Sequence, residues 1–339
     1  MQVVREKPLA ERVYGTALRR LLGAGAILGV VIFVALLPAF VLSPKLSLQL
    51  LWFLFIPLAP MFLLAAPNAW VSLCPVSSLQ TAAKHFGWMG AARLSPTLTR
   101  RLQLTGWVMM FLGIPSRHVV FNTNGPALFA AAGAVTLLVL CIGFVSLALS
   151  GWCMGACPIR PVEVIYGQFA LDKNRPVKCG GCDACVTSCV RLQPENGDKE
   201  LGLSKLTSIL AQAFPGFVAS YFLLDLTGLC NAERAFFRSD VPPPASLLAH
   251  AALVYGVMAL GALFSFLVFH SLGRLGVTSA TRFKAVAIAA YCCYYLGVAP
   301  EITMAWSLPE NAAWALLCLP ATVLAFVLFA PKLRVATTG

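Results

Sequence analysis

Four cysteines crowd residues 178–189, "KCGGCDACVTSC", and their spacing, C-x2-C-x2-C-x3-C, assigns them as Cys179, Cys182, Cys185 and Cys189. Thiols this dense either pair as disulfides or bind metal. The run has the spacing of bacterial ferredoxins, in which the fourth thiolate usually serves the other cluster of a pair. Gly180 and Gly181 let the backbone fold closely around an inorganic cube and aim N–H groups at its sulfides. Zinc is the alternative, and it favours two C-x2-C pairs separated by about a dozen residues or more. Four thiols within eleven positions fit a cube better than a tetrahedron about one ion, so the cassette predicts a 4Fe–4S cluster.

A second thiol signal lies upstream. "GWCMGACPIRP" gives Cys153-x3-Cys157-Pro158, and "NAWVSLCPVSSLQ" echoes it with Cys74-Pro75 and Trp70 where the first cysteine would be. Each follows a pair of apolar runs, so the N-terminal half reads as a duplication: helix pair, then Cys-Pro loop, twice. A lone Cys-Pro can equally be a buried thiol beside a turn. Two cubanes ligated only by cysteine need about eight thiolates. Seven are available on one side, namely Cys74, Cys153, Cys157 and the four of the cassette. One cluster follows from the cassette. A second needs a non-cysteine ligand such as Asp183 or His85, a three-iron core, or a thiolate from inside the bilayer. Cys141, Cys230, Cys292, Cys293 and Cys318 fall in predicted helices or towards the other side, and read as small packing residues.

The elements that must position these thiols are membrane helices. Hydrophobic residues make up 59% of the 339 and charged residues 11%, mean hydropathy is +0.81, and a soluble domain carries about 25% charged residues. Apolar runs of spanning length occur near 21–42, 46–66, 126–149, 207–229, 247–270, 284–303 and 312–330, with a marginal one at 103–115 that Pro115, Ser116, Arg117 and His118 interrupt. The first run lacks a small-residue cleavage site and is expected to stay as a span. Counting the marginal run predicts an all-α, polytopic helix bundle of about eight spans, by the usual ~20 apolar residues per span. With both termini inside, the inner segments hold 21 Lys and Arg and the outer ones only Lys45, Arg117, Arg234 and Arg238. The positive-inside rule then sets the orientation and accounts for the net charge of +12 without nucleic acid.

The expected organisation is a cytoplasmic segment 1–20, then spans 1–4 with a cytoplasmic Cys-Pro loop over 21–150. A cytoplasmic iron–sulfur segment at 151–206, spans 5–8 at 207–330 and a tail at 331–339 complete it. In a bacterial inner membrane the cassette faces a reducing compartment, where clustered thiols mean metal rather than disulfides.

Helix pairs ending in C-x3-C-P, followed by a ferredoxin cassette, resemble the membrane polyferredoxins of bacterial respiration, the NapH, NosR and CcoG kind. The resemblance covers roughly residues 20–195. It implies electron-transfer roles for Cys153, Cys157, Cys179, Cys182, Cys185 and Cys189, and extends to Cys74. The sequence departs from that pattern at Trp70, in having one full cassette, and at Val190, where a proline commonly follows.

Other polar residues bear on partners. Asp225, Glu301, His118 and His250, with Arg117, are expected near the outer face, either as a quinone or proton site or as side chains snorkelling to the interface. His250 and His270 lie twenty residues apart on one predicted helix, about 30 Å at ~1.5 Å per residue, and so cannot share a haem iron. Arg160, Lys173, Arg175, Lys178 and Arg191 form a basic surface that could steer an acidic ferredoxin or flavodoxin to the cluster, or offset the cluster's own charge. The proline-stiffened outer loop 230–246 suits a small docking surface better than a catalytic domain, and other membrane subunits are expected partners. No phosphate loop, dinucleotide fingerprint or nucleophile–base arrangement occurs. The expectation is an inner-membrane subunit relaying single electrons between a cytoplasmic or quinone donor and a membrane or periplasmic partner. An assembly or metal-reduction factor for a respiratory metalloenzyme, and a redox-sensing transporter, are the alternatives; the Pro115 interruption would be the transporter's broken helix.

Overall fold

Apolar backbone at membrane depth must satisfy its N–H and C=O groups within the segment, which selects helices. The computed structural model describes residues 16–81, 94–122, 124–146, 151–167, 205–227, 229, 244–309 and 311–329. Its long helices are α1 (Thr16–Leu42), α2 (Pro44–Ala65), α5 (Pro96–Ser116), α6 (Gly125–Val145), α8 (Lys205–Leu226), α9 (Pro244–Arg274), α10 (Ser279–Ala305) and α11 (Ala312–Phe329). Short helices α3 (Pro67–Leu73), α4 (Pro75–Thr81) and α7 (Arg160–Tyr166) lie between them. All eight long helices are apolar enough to cross a membrane. The chain is therefore an all-α, multi-pass helix bundle, with no strand among the described residues. Leu42, Leu137, Phe264 and Trp314 point outward, an apolar surface of the kind lipid solvates.

The marginal third run is a full span. Pro115 does not end α5; the helix continues through Arg117–Phe121 as a wider, π-type turn, closed by the Asn122 N–H donating to the Arg117 carbonyl at 2.9 Å. No broken-helix gap remains at Pro115. A second wide turn, Leu51–Phe55, interrupts α2 just before Pro57, and a third, Trp152–Ala156, carries Cys153. Such turns re-aim side chains and recur at functional sites.

Helix α8 is the centre of the second half. It crosses α9 where Gly216 meets Gly261, with Ser220 and Ser265 one turn on. A Cβ at either glycine would collide with the facing backbone, and the Ser265 hydroxyl donates to the Gln212 carbonyl across the contact at 2.8 Å. Small residues on both helices permit this approach, which is how membrane helices gain packing without a hydrophobic drive. Phe222 of α8 fills the notch left by Gly297 of α10.

The linking segments do not hang free. A Cβ at Gly29 of α1 would lie 2.6 Å from the Leu73 carbonyl oxygen, and one at Gly106 of α5 would lie 2.9 Å from that of Cys157. Gly29 is nine residues beyond Arg20 and Gly106 nine beyond Thr97, where those spans begin. At ~1.5 Å per residue, both Cys-Pro segments therefore reach about 13 Å along the bundle. The sequence expects cytoplasmic loops here; over 66–81 and 151–167 the chain folds closely against the long helices. Non-helical backbone is tolerated there because protein surrounds it.

Candidate metal centre and buried carboxylate site

The bundle has two polar ends. At the thiol end, Cys74 and Cys157 occupy matching positions. Each ends a short helical turn, each precedes a proline, and their backbones agree closely, with φ −59° and ψ 119° at Cys74 and φ −62° and ψ 125° at Cys157. The N–H of Cys74 donates to the Trp70 carbonyl at 2.8 Å, and that of Cys157 to the Trp152 carbonyl at 2.9 Å. The two Cys-Pro turns thus share the extended backbone that a following proline favours, one after an α-type and one after a π-type turn. The two segments touch, because the Gln80 side-chain oxygen in the first accepts from the Cys153 N–H in the second at 3.1 Å.

Cys153 and Cys157 pack against Val139, Trp152, Val76 and Leu102. Burial, and then the neighbouring Cys74 thiol, push the Cys157 thiol up to about 12. A thiol so disposed is inert until a metal replaces its proton. Serines pin the first loop, with the Ser77 hydroxyl donating to the Val71 and Cys74 carbonyls at 2.5 and 2.9 Å. The cassette residues Cys179, Cys182, Cys185 and Cys189, with Asp183 and His85, lie outside the described residues. Among the described residues no three of His, Cys, Asp and Glu converge as a metal site. Soft thiolates suit an iron–sulfur cluster, and Cys74, Cys153 and Cys157 are by themselves too few to hold a four-iron one.

Arg160 does not belong to a basic docking surface. It is buried and paired with Glu163 at 3.0 Å. Lys173, Arg175, Lys178 and Arg191 lie outside the described residues. Of the packing cysteines, Cys141 and Cys318 are exposed on the bundle, and Cys292 and Cys293 are half-buried.

At the other end the structure gathers residues that the sequence could only place on one face. His118 stacks on Tyr221 with centroids 4.0 Å apart, and its Nε2 lies 3.2 Å from the Tyr221 carbonyl oxygen. A carbonyl only accepts, so Nε2 carries the hydrogen, and in the neutral ring Nδ1 turns a lone pair towards Asp225 Oδ1 at 3.6 Å. The carboxyl of Glu301 stands within hydrogen-bonding reach of that of Asp225. Arg117 sits over the Trp52 ring at 4.1 Å and the Tyr221 ring at 5.0 Å, and donates from Nε to Asn122 at 3.2 Å. His250 Nε2 meets the His118 carbonyl at 3.4 Å. Gln49 donates to the Ala305 carbonyl at 2.7 Å and ties α2 to the end of α10.

Snorkelling is not what these side chains do: Arg117 is 8% exposed, His118 6% and Glu301 5%. Two wide turns build the site, one presenting Trp52 and the other Arg117 and His118. Sequence reasoning missed Trp52, Gln49, Asn122 and Tyr221. Gln49 carried a signal, a polar side chain within an apolar run.

Comparison with protein-family models, with curated proteins and with solved structures finds no match for this chain. Function therefore rests on the two sites themselves.

Proposed function

We propose that the chain is an integral-membrane iron–sulfur protein that relays single electrons, with its thiol end in the cytoplasm of a bacterial inner membrane. Cys179, Cys182, Cys185 and Cys189 would hold a 4Fe–4S cluster, whose chemistry is one-electron transfer at little structural cost. Cys157, Cys153 and Cys74 would supply ligands shared with a second cluster. A quinone or a soluble acidic carrier is the donor class, and a membrane or periplasmic redox protein the acceptor.

The observation that carries this reading is the matched pair Cys74-Pro75 and Cys157-Pro158. Two half-buried thiols in the same backbone conformation, near enough for the Cys74 thiol to act on that of Cys157, lie at the end of the bundle from which the chain runs on to the cassette. Cys157 and Cys179 are only 22 residues apart, a tether short enough to bring the cassette back over them. What the chain itself contributes is burial: apolar neighbours exclude water around Cys153 and Cys157, and Gln80 fixes the strand between the two copies.

Anaerobically purified protein should be brown, with iron and acid-labile sulfide near equimolar, and Cys182→Ser should abolish or severely deplete both. A hard hydroxyl replaces a soft thiolate poorly. Stoichiometric zinc with no labile sulfide would overturn the proposal.

A further inference from the structure

Among the described residues, the carboxylate end holds more ionisable groups than its fixed charge can balance. Around the Asp225–Glu301 pair lie His118, 3.6 Å from Asp225, with Arg117 beside it on the same wide turn, Tyr221 from α8 and Tyr294 from α10; His250 from α9 meets the His118 carbonyl, and Trp52 from α2 lies under Arg117. Among the described residues gathered there, Arg117 is the one permanent cation, since guanidinium does not lose its proton in proteins. His118 has a side chain 1% exposed, lies beside that cation and already spends its Nε2–H on a carbonyl. Two facing carboxylates at membrane depth would repel each other, and one cation can offset only one of them. Two acids within hydrogen-bonding reach are stable when a single proton lies between them. Oε1 of Glu301 is buried and meets no hydrogen-bond partner among the described residues, so it is a position where such a proton, or the water delivering it, can sit.

We infer that Asp225 and Glu301 form a proton-binding site holding one shared proton, balanced by Arg117. Neither residue owns that proton. Asp225 is the penultimate residue of α8 and Glu301 lies four residues from the end of α10, so the pair is close to the end of the bundle opposite the thiols. The Nδ1 lone pair of His118 faces Asp225 and offers the proton a route away from the pair. The ligand is the proton itself; no metal is implied, and the inference does not depend on the iron–sulfur reading.

Infrared spectroscopy of the purified protein in lipid nanodiscs tests this through the carboxylic-acid C=O stretch, which ionised surface carboxylates do not show. At neutral pH the wild type should show one such band that shifts in D2O. A shared proton has a specific signature: Asp225→Asn and Glu301→Gln should each remove the whole band, because the remaining acid ionises opposite Arg117. Arg117→Gln should roughly double it, because without the cation both acids stay protonated. Asp225→Glu, which keeps a carboxyl, should keep the band and guards against loss through misfolding. No band in the wild type would mean two ion pairs, Arg117 with one acid and a protonated His118 with the other. A band lost in only one amide variant would mean a single independent acid. Either result overturns the inference.

Discussion

The two ends of this bundle solve the same problem in opposite ways. Both bury ionisable side chains about wide helical turns. At the carboxylate end, Arg117, His118, Asp225 and Glu301 come from three different long helices and lie together, so acids and bases meet inside the protein and a single proton completes their balance. At the thiol end, Cys74, Cys153 and Cys157 come from two short Cys-Pro segments, and Cys153 and Cys157 pack among Val139, Val76 and Leu102, where burial disfavours the Cys157 thiolate. The first arrangement needs only a proton. The second, on the proposed reading, is completed by the cluster of the cassette, which begins twenty-two residues beyond Cys157.

The largest expected consequence of this difference is in thiol reactivity. With its thiol at about 12 against 9.0 for a free cysteine, Cys157 in metal-free protein should carry roughly a thousandfold less thiolate at pH 7 than in the unfolded chain. Its alkylation rate should climb about tenfold per pH unit until near pH 12, whereas the unfolded chain levels off above about pH 9. The sign for stability follows. The neutral thiol favours the folded state below pH 9, and that contribution is lost as pH rises through about 12. A native rate that levels off near pH 9 would show an exposed thiol and erase the contrast between the ends.

A smaller effect separates the ends cleanly. Each has one buried amide that binds backbone across the bundle, Gln80 to Cys153 at the thiol end and Gln49 to Ala305 at the carboxylate end. Replacing either with alanine leaves a buried backbone group without its partner, at a cost of about 1–3 kcal/mol in stability. The secondary effects should not cross. Gln80→Ala should lower iron content and leave the carboxylic-acid band in place, and Gln49→Ala should do the reverse. If both variants disturb both readouts, the ends are one cooperative unit.

The smallest effect concerns cluster number. Cys74→Ala with Cys153→Ala should lower iron per polypeptide by about half, as expected for loss of one of two four-iron clusters. Unchanged iron with an unchanged electron-spin spectrum would reduce the Cys-Pro motifs to scaffolding.

Much of the bundle is legible in the sequence because hydrophobicity alone dictates it. Seven spans come directly from their apolar runs. The third is marginal because it has the lowest hydropathy of the eight, 1.2, since Gln103, Arg117 and His118 face protein rather than lipid. Length explains a different failure. Helices α3, α4 and α7 have seven residues each, too short to register as apolar runs, so the Cys-Pro segments read as loops although they fold closely against the long helices. The pairing of Cys74 with Cys157 was readable because a duplicated motif implies duplicated placement. The burial of Arg117 was not. Whether an arginine beside a proline snorkels or turns inward depends on Trp52, 65 residues earlier, and Tyr221, 104 residues later. Neither has any local signature.

The most direct test of the relay is a sided electron-spin-resonance measurement at low temperature. Protein would be reconstituted in vesicles of known orientation, fixed by labelling cysteines introduced at the exposed residues 308 and 278, and a membrane-impermeant reductant added to one face at a time. The expected result is a reduced 4Fe–4S signal when reductant meets the face that carries residue 278 and the cassette, with none when it meets the face carrying residue 308. A signal from the residue 308 face alone, or no cluster signal from either, would contradict an electron relay built on the thiol end.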